Sequence, residues 1–231
     1  MREIVLDTET TGLDPAAGHR IVEVAAIELV NTVPTGASFH RYANPEREMP
    51  AEAFEIHGLS DNFLSQHPTF DQLIEELLGF IGDATLVIHN AEFDMRFLNA
   101  ELKRCGRTPL PQQQSICTMI MARQKFPGAQ ASLDALCRRF AVDNTHRTKH
   151  GARLDAELLA EVYIDLIGAR QSQLILAEAH STRTAINGDA PRRQRTTPLT
   201  PRLTEEDRLA HRGFVATLGD KPIWNDFLPA A

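Results

Sequence analysis

With 231 residues the chain has room for one well-cored domain plus additional segments, since domains run to roughly 100 to 200 residues. Hydrophobic residues at 42% and charged residues at 24% are close to globular averages, which excludes wholesale disorder and a fibrous architecture. The formal net charge of −7 excludes a protein that grips nucleic acid mainly through a basic surface, because that binding needs Lys and Arg to neutralise phosphates. Any nucleic-acid contact must then be local, and a carboxylate site filled with divalent cations would allow it by inverting the local charge.

In chain order, Ile4 to Leu6 and the stretch Ile21 to Val30 are β-branched and apolar, and Ser38 to Ala43 reads as a third strand; turn residues between them predict a meander. Behind Pro68, the residues Phe70, Leu73, Ile74, Leu77, Leu78 and Ile81 recur at helical spacing and predict an amphipathic helix. Leu86 to Ile88 is a short buried strand. The helical period resumes from Ala91 to Cys105 through Phe93, Phe97, Leu98 and Leu102, and Gly106 ends it. Ser132 predicts an N-cap for a helix to Phe140, and Ala152 to Gly168 forms a last long helix. Strands first and interleaved helices later predict an α/β protein, a mixed β-sheet with helices on both faces.

The organisation expected is a catalytic domain over residues 1–177, a flexible basic linker over 178–202 rich in Pro, Thr and Arg, and a C-terminal docking segment over 203–231. The last segment regains apolar residues, Trp224 and Phe227 among them, yet is too short for a core of its own, so a partner surface is expected to cover them. Cys105, Cys117 and Cys137 form no C-x-x-C pair and leave no complete disulfide framework, which predicts a reducing cytoplasm. No secretory leader and no stretch of about 20 apolar residues is present, so no membrane association is expected.

The chemistry is carried by acids. Asp7 and Glu9 stand two apart near a strand end, so both leave the same face and repel one another unless they share a proton, reach water or hold cations. Thr10, Thr11 and Gly12 follow, small residues that let a backbone approach a ligand. Asp94, in the run His89 to Asp94, falls where a buried strand passes into a helix, the position at which open α/β sheets place ligands. Asp155 lies in the first turns of the last helix, with His150 on the loop before it.

The segments 7–12, 89–94 and 150–155, in this order and with these internal spacings, resemble the three exonuclease motifs of the DEDD superfamily, of the subtype with H-x-x-x-x-D in the third. Within it the chain is most similar to the epsilon proofreading subunits of bacterial DNA polymerase III, from Arg2 to about Ile167. The resemblance implies a ribonuclease H-like fold and a 3′-to-5′ exonuclease acting on a single-stranded or mispaired DNA 3′ terminus. Asp7, Glu9, Asp94 and Asp155 would hold two divalent cations, Mg²⁺ or Mn²⁺, and His150 would be the general base that takes a proton from the attacking water. Thr10, Glu52 and His57 would contact the terminal nucleotide, together with Asp7, Glu9 and Asp155, and Asn90 would support the site without binding metal. Gln171, Leu174 and Leu176 resemble a short sliding-clamp-binding motif; Leu176 stands where an aromatic residue is often found, which implies a weak contact. The tail with Trp224 and Phe227 would bind the polymerase alpha subunit. Two other readings share part of this pattern: an RNA-trimming exonuclease like ribonuclease T or oligoribonuclease, with the same catalytic residues, and a non-catalytic scaffold linking clamp and polymerase, which would require loss of an acid.

Overall fold

The computed structural model describes residues 1–147, 149–169 and 203–218, which fall into two units. In the first, β1 (Arg2–Thr10), β2 (Ile21–Val30) and β3 (Val33–Tyr42) form an antiparallel meander. The short strands β4 (Thr85–Ile88) and β5 (Ser115–Cys117) join it in parallel, giving the order β3-β2-β1-β4-β5. Among the described residues of this unit, the α-helices that accompany the sheet are α1 (Ala51–His57), α2 (Asp61–Leu64), α3 (Phe70–Ile81), α4 (Ala91–Arg104), α5 (Thr118–Lys125), α6 (Leu133–Phe140) and α7 (Ala152–Leu166).

The central strand β1 shows why the layers form. Its successive side chains alternate between faces. Ile4 and Leu6 are fully buried in one cluster with Phe70, Leu77, Phe97 and Leu98 of α3 and α4. Val5 enters the other cluster with Leu136 of α6 and Leu158, Leu159 and Val162 of α7. Burying such an aliphatic side chain contributes about 1.5–3 kcal/mol, so the two clusters clamp the strand and fix its register. A one-residue slip would exchange Asp7 and Glu9 with Leu6 and Thr8. The helices on both faces agree with the predicted mixed α/β sheet.

Helix starts follow local chemistry. Gln72 Oε1 accepts the Thr69 N–H at 3.3 Å ahead of α3, and Ser132 Oγ accepts the Ala135 N–H at 3.3 Å at the start of α6, as its sequence predicts. The third strand differs from expectation, beginning at Val33 instead of Ser38. Asn31 and Thr32 both take positive φ (51° and 66°) in a tight hairpin turn, and the first half of β3 is an exposed edge with no buried face to impose alternation. Helices α1, α2 and α5 and strand β5 were not predicted.

The second unit contains α8 (Glu205–Ala216), also not predicted. Thr204 Oγ1 accepts the Asp207 N–H at 3.2 Å while the Asp207 carboxylate accepts the Thr204 N–H at 2.9 Å, a reciprocal cap that stops the chain from fraying there. Leu209 and Phe214 of this helix are exposed. Among the described residues, no helix is long and apolar enough to cross a membrane.

Candidate active site

The parallel register sets β1 beside β4 with Val5 opposite Val87, so Asp7, two residues further on, stands level with the turn from β4 into α4. That turn is made by Asn90 in the left-handed conformation (φ 67°, ψ 50°), which Asn tolerates better than most residues, and it aims the first turn of α4 back at the sheet. Asp94 is thereby buried against β1, where its Oδ1 accepts the Thr8 hydroxyl at 2.7 Å. Asn90 thus shapes the site through its backbone.

On the other face, α7 brings in Asp155. Ala25 of β2 packs directly on Ala152 and Ala156, and these small side chains let the first turn of α7 come close to the sheet. Gly151 offers no side chain to cap α7; Glu23 of β2 accepts the Ala152 N–H at 3.1 Å instead, an anion placed at a helix N-terminus. The other oxygen of Glu23 lies 2.7 Å from His40 Nε2. Glu23 pairs across the strands with Glu9. One possible ligand atom from each of the Glu9 and Asp155 carboxylates and the His150 imidazole lies within 4.8 Å of the other two.

The electrostatics follow from this crowding. Burial first, then the charges of Asp94, Glu9, Asp155 and Glu23, push the Asp7 carboxyl well above its usual range. Glu9 is pushed up to about 8 by burial and by Asp155, Glu23 and Asp94, against a smaller opposing pull from Arg147. Asp94 is pushed up to about 7 by burial, partly offset by its hydrogen bonds at Thr8. Such acids lack positive charge. Arg147 supplies positive charge beside them, its Nε and Nη2 forking the Asp155 carboxylate at 2.5 and 2.7 Å. Hard carboxylate oxygens in want of countercharge suit a divalent ion.

Beside the acids runs a cleft of about 460 Å³ lined by Glu9, Thr10, Glu52, His57 and Phe93. His57 Nδ1 accepts the Leu59 N–H at 3.1 Å, so Nε2 carries the proton; it is buried beside the Thr10 backbone and meets no acceptor at good hydrogen-bonding geometry. Desolvation holds His57 below the ordinary histidine range, which keeps it a neutral donor. Glu52 is exposed on α1, and Thr10 is buried with its hydroxyl on the Gly12 carbonyl. Gly12 makes room for a neighbour within the protein: a Cβ there would collide with the His19 ring. His150 is half exposed on its loop, and its N–H donates to the Ile56 carbonyl of α1 at 3.2 Å.

The structure therefore brings together Asp7, Glu9, Asp94, Asp155 and His150, with Thr10, Glu52 and His57 along the adjoining cleft. Gln171, Leu174, Leu176, Trp224 and Phe227 lie outside the described residues, as does the 178–202 linker. Two site residues escaped the sequence reading. Glu23 could have been noticed as the single charge in the apolar run from Ile21 to Ala26; Arg147 sits in a polar loop and carries no local signal.

A family model described as exonuclease matches residues 4–163, over half of the chain. The chain belongs to this exonuclease family. The resemblance carried by residues 7–12, 89–94 and 150–155 thus holds. The DNA polymerase III subunit epsilon of Rickettsia conorii is 49% identical over 223 residues, covering 94% of this exonuclease and 96% of that protein. The subunit of the same name from Rickettsia prowazekii is 59% identical over 175 residues, covering 74% and 76%. Among solved structures, exonuclease X in complex with 5′ overhanging duplex DNA superposes with a TM-score of 0.56 at 26% identity, over 72% of this chain and 92% of that one.

Proposed function

We propose that the chain is the 3′-to-5′ exonuclease subunit that proofreads for a bacterial replicative DNA polymerase III, working in the cytoplasm. The observation that carries this reading is the convergence of Asp7, Glu9, Asp94 and Asp155 from β1, α4 and α7 on one acidic centre beside an open cleft. The names of the relatives, at 49% and 59% identity, support DNA replication as the setting.

The four acids are the residues that would hold Mg²⁺ or Mn²⁺. Two such ions would lower the pKa of the attacking water and neutralise charge on the leaving oxygen. The protein's own groups do the rest. The cleft admits a strand end, and the His57 Nε2–H is a donor already desolvated and waiting for an acceptor on the terminal nucleotide. Thr10 and Glu52 flank the same nucleotide. His150 takes the proton of the attacking water, the P–O3′ bond breaks, and a nucleoside 5′-monophosphate leaves while the strand keeps a new 3′ hydroxyl. The loop position of His150 lets its ring adjust to the bound end.

Residues 1–177 form the exonuclease domain in this proposal, 178–202 a linker and 203–231 the polymerase-docking segment, with the alpha subunit as partner and the clamp held weakly through 171–176. The exposed Leu209 and Phe214 of α8 fit a docking role, and similarity to the Rickettsia conorii protein extends over 94% of the chain. The test is a time course on a 3′-labelled, mispaired primer with Mg²⁺ and with chelator, run beside a matched RNA oligonucleotide. Metal-dependent release of deoxynucleoside monophosphates from the 3′ end is expected. Faster trimming of RNA would establish the RNA-processing reading instead, and inertness on both would refute the exonuclease reading.

A further inference from the structure

Arg147 is heavily engaged. Its side chain is 9% exposed, and all three of its nitrogens are used. Nε and Nη2 fork Asp155, Nη1 donates to Asp134 Oδ1 at 2.8 Å, and Nη2 also lies 2.8 Å from His150 Nδ1. A guanidinium keeps its charge throughout the accessible pH range, so it is a permanent positive charge.

Two consequences follow. First, the guanidinium occupies both oxygens of Asp155, a carboxylate that the exonuclease reading assigns to metal. A divalent ion and Arg147 are like charges directed at the same two oxygens, and therefore compete for Asp155. Second, a guanidinium nitrogen can only donate, so while it faces His150 Nδ1 that atom is the acceptor and Nε2 carries the hydrogen. Neither ring nitrogen of His150 can then accept a proton from water: one is occupied and the other already bears a hydrogen.

We infer that Arg147 is a positioning residue that serves as an internal counter-cation, holding Asp155 and His150 until a divalent ion takes over Asp155 and Arg147 falls back on Asp134. This rests on the metal-dependent exonuclease reading of the site. Asp134 suits the receiving role. It lies in the first turn of α6, is partly open to solvent, and already shares the guanidinium. Its Oδ1 also accepts the Asn144 side-chain amide at 3.1 Å, which steadies it.

The experiment measures Mn²⁺ binding to the full chain by calorimetry, for wild type and for Arg147→Met and Asp134→Asn, with Asp155→Asn as the reference that locates the ion. Removing the competitor should tighten Mn²⁺ binding about tenfold, the worth of a charge-assisted hydrogen bond. Removing the acid that receives the displaced guanidinium should weaken binding severalfold. If Arg147 merely braced Asp155, Arg147→Met would instead bind Mn²⁺ as wild type does or more weakly, and that result overturns the inference while Mn²⁺ binding by wild type leaves the exonuclease reading standing. Should Arg147→Met not fold by circular dichroism, Arg147→Lys replaces it: a point charge without the fork should also tighten binding, and unchanged or weaker binding overturns the inference. Absence of Mn²⁺ binding by wild type overturns both.

Discussion

Replacing Asp94 with asparagine, in the presence of a chelator, should make the protein more stable while destroying its chemistry. Asp94 is 3% exposed and pushed up from 3.8 to about 7. A carboxyl that binds its proton more tightly folded than unfolded penalises folding as the pH rises from about 4, and the penalty is complete above about 7. At 1.36 kcal/mol per pH unit, the full displacement is worth about 4 kcal/mol. Asparagine keeps an oxygen to accept the Thr8 hydroxyl and carries no charge, so about half of that, roughly 2 kcal/mol, should be recovered once the neighbouring acids readjust. The assay is urea unfolding of both proteins at pH 5 and pH 8 in chelator. The variant should exceed wild type at pH 8 and match it more nearly at pH 5. The difference between the two proteins is the informative quantity, because His57 and His89, both held low by burial, add stability as pH rises in either protein. Adding Mn²⁺ at 100 times its dissociation constant should then stabilise wild type by about 2.7 kcal/mol and reverse the order. An asparagine variant that is less stable than wild type at pH 8 in chelator would refute the electrostatic account of the site.

Asp7→Asn should cut DNA degradation by more than about 10²-fold, beyond the effect of losing a mere supporting partner of a metal ligand, with an unchanged circular dichroism spectrum; normal turnover would remove Asp7 from the mechanism. His150→Ala should slow degradation by about 10² to 10⁴ while Mn²⁺ stoichiometry stays the same. Its ring stands close enough to Glu9 and Asp155 to be a ligand, so a lost ion in the titration would reassign it. Glu23→Ala leaves the Ala152 N–H and His40 without their acceptor and should cost about 1–3 kcal/mol in urea unfolding. Glu23→Gln, which retains an acceptor, should cost less, and equal losses in the two variants would contradict the capping role.

Much of this molecule was legible before its structure because the informative signals are local. The alternation in β1, the 3.6-residue period in α3 and α4, and the Ser132 cap each depend on neighbours within a few residues. The acids could be grouped because each sits at a readable junction: a strand end, a strand-to-helix turn, a helix start. What escaped lacks such a signature. The apolar residues of α5 do not gather on one face, β5 has three residues, and the Asn31–Thr32 turn uses a threonine at positive φ where glycine is the usual sign. Arg147 reads as one more loop charge beside His146 and Lys149, since its partners arrive from α6 and α7. Gly12 was read as clearance for a ligand, but the space beside it is filled by His19.

The seam of Ala25, Ala152 and Ala156 makes the acidic centre vulnerable at positions that carry no charge. A valine in place of any of the three would lever α7 outward, and Asp155 would travel with it while every acid stayed intact. An error-prone form of this protein could therefore arise from a few misplaced methyl groups, with nothing in the charged residues to betray it.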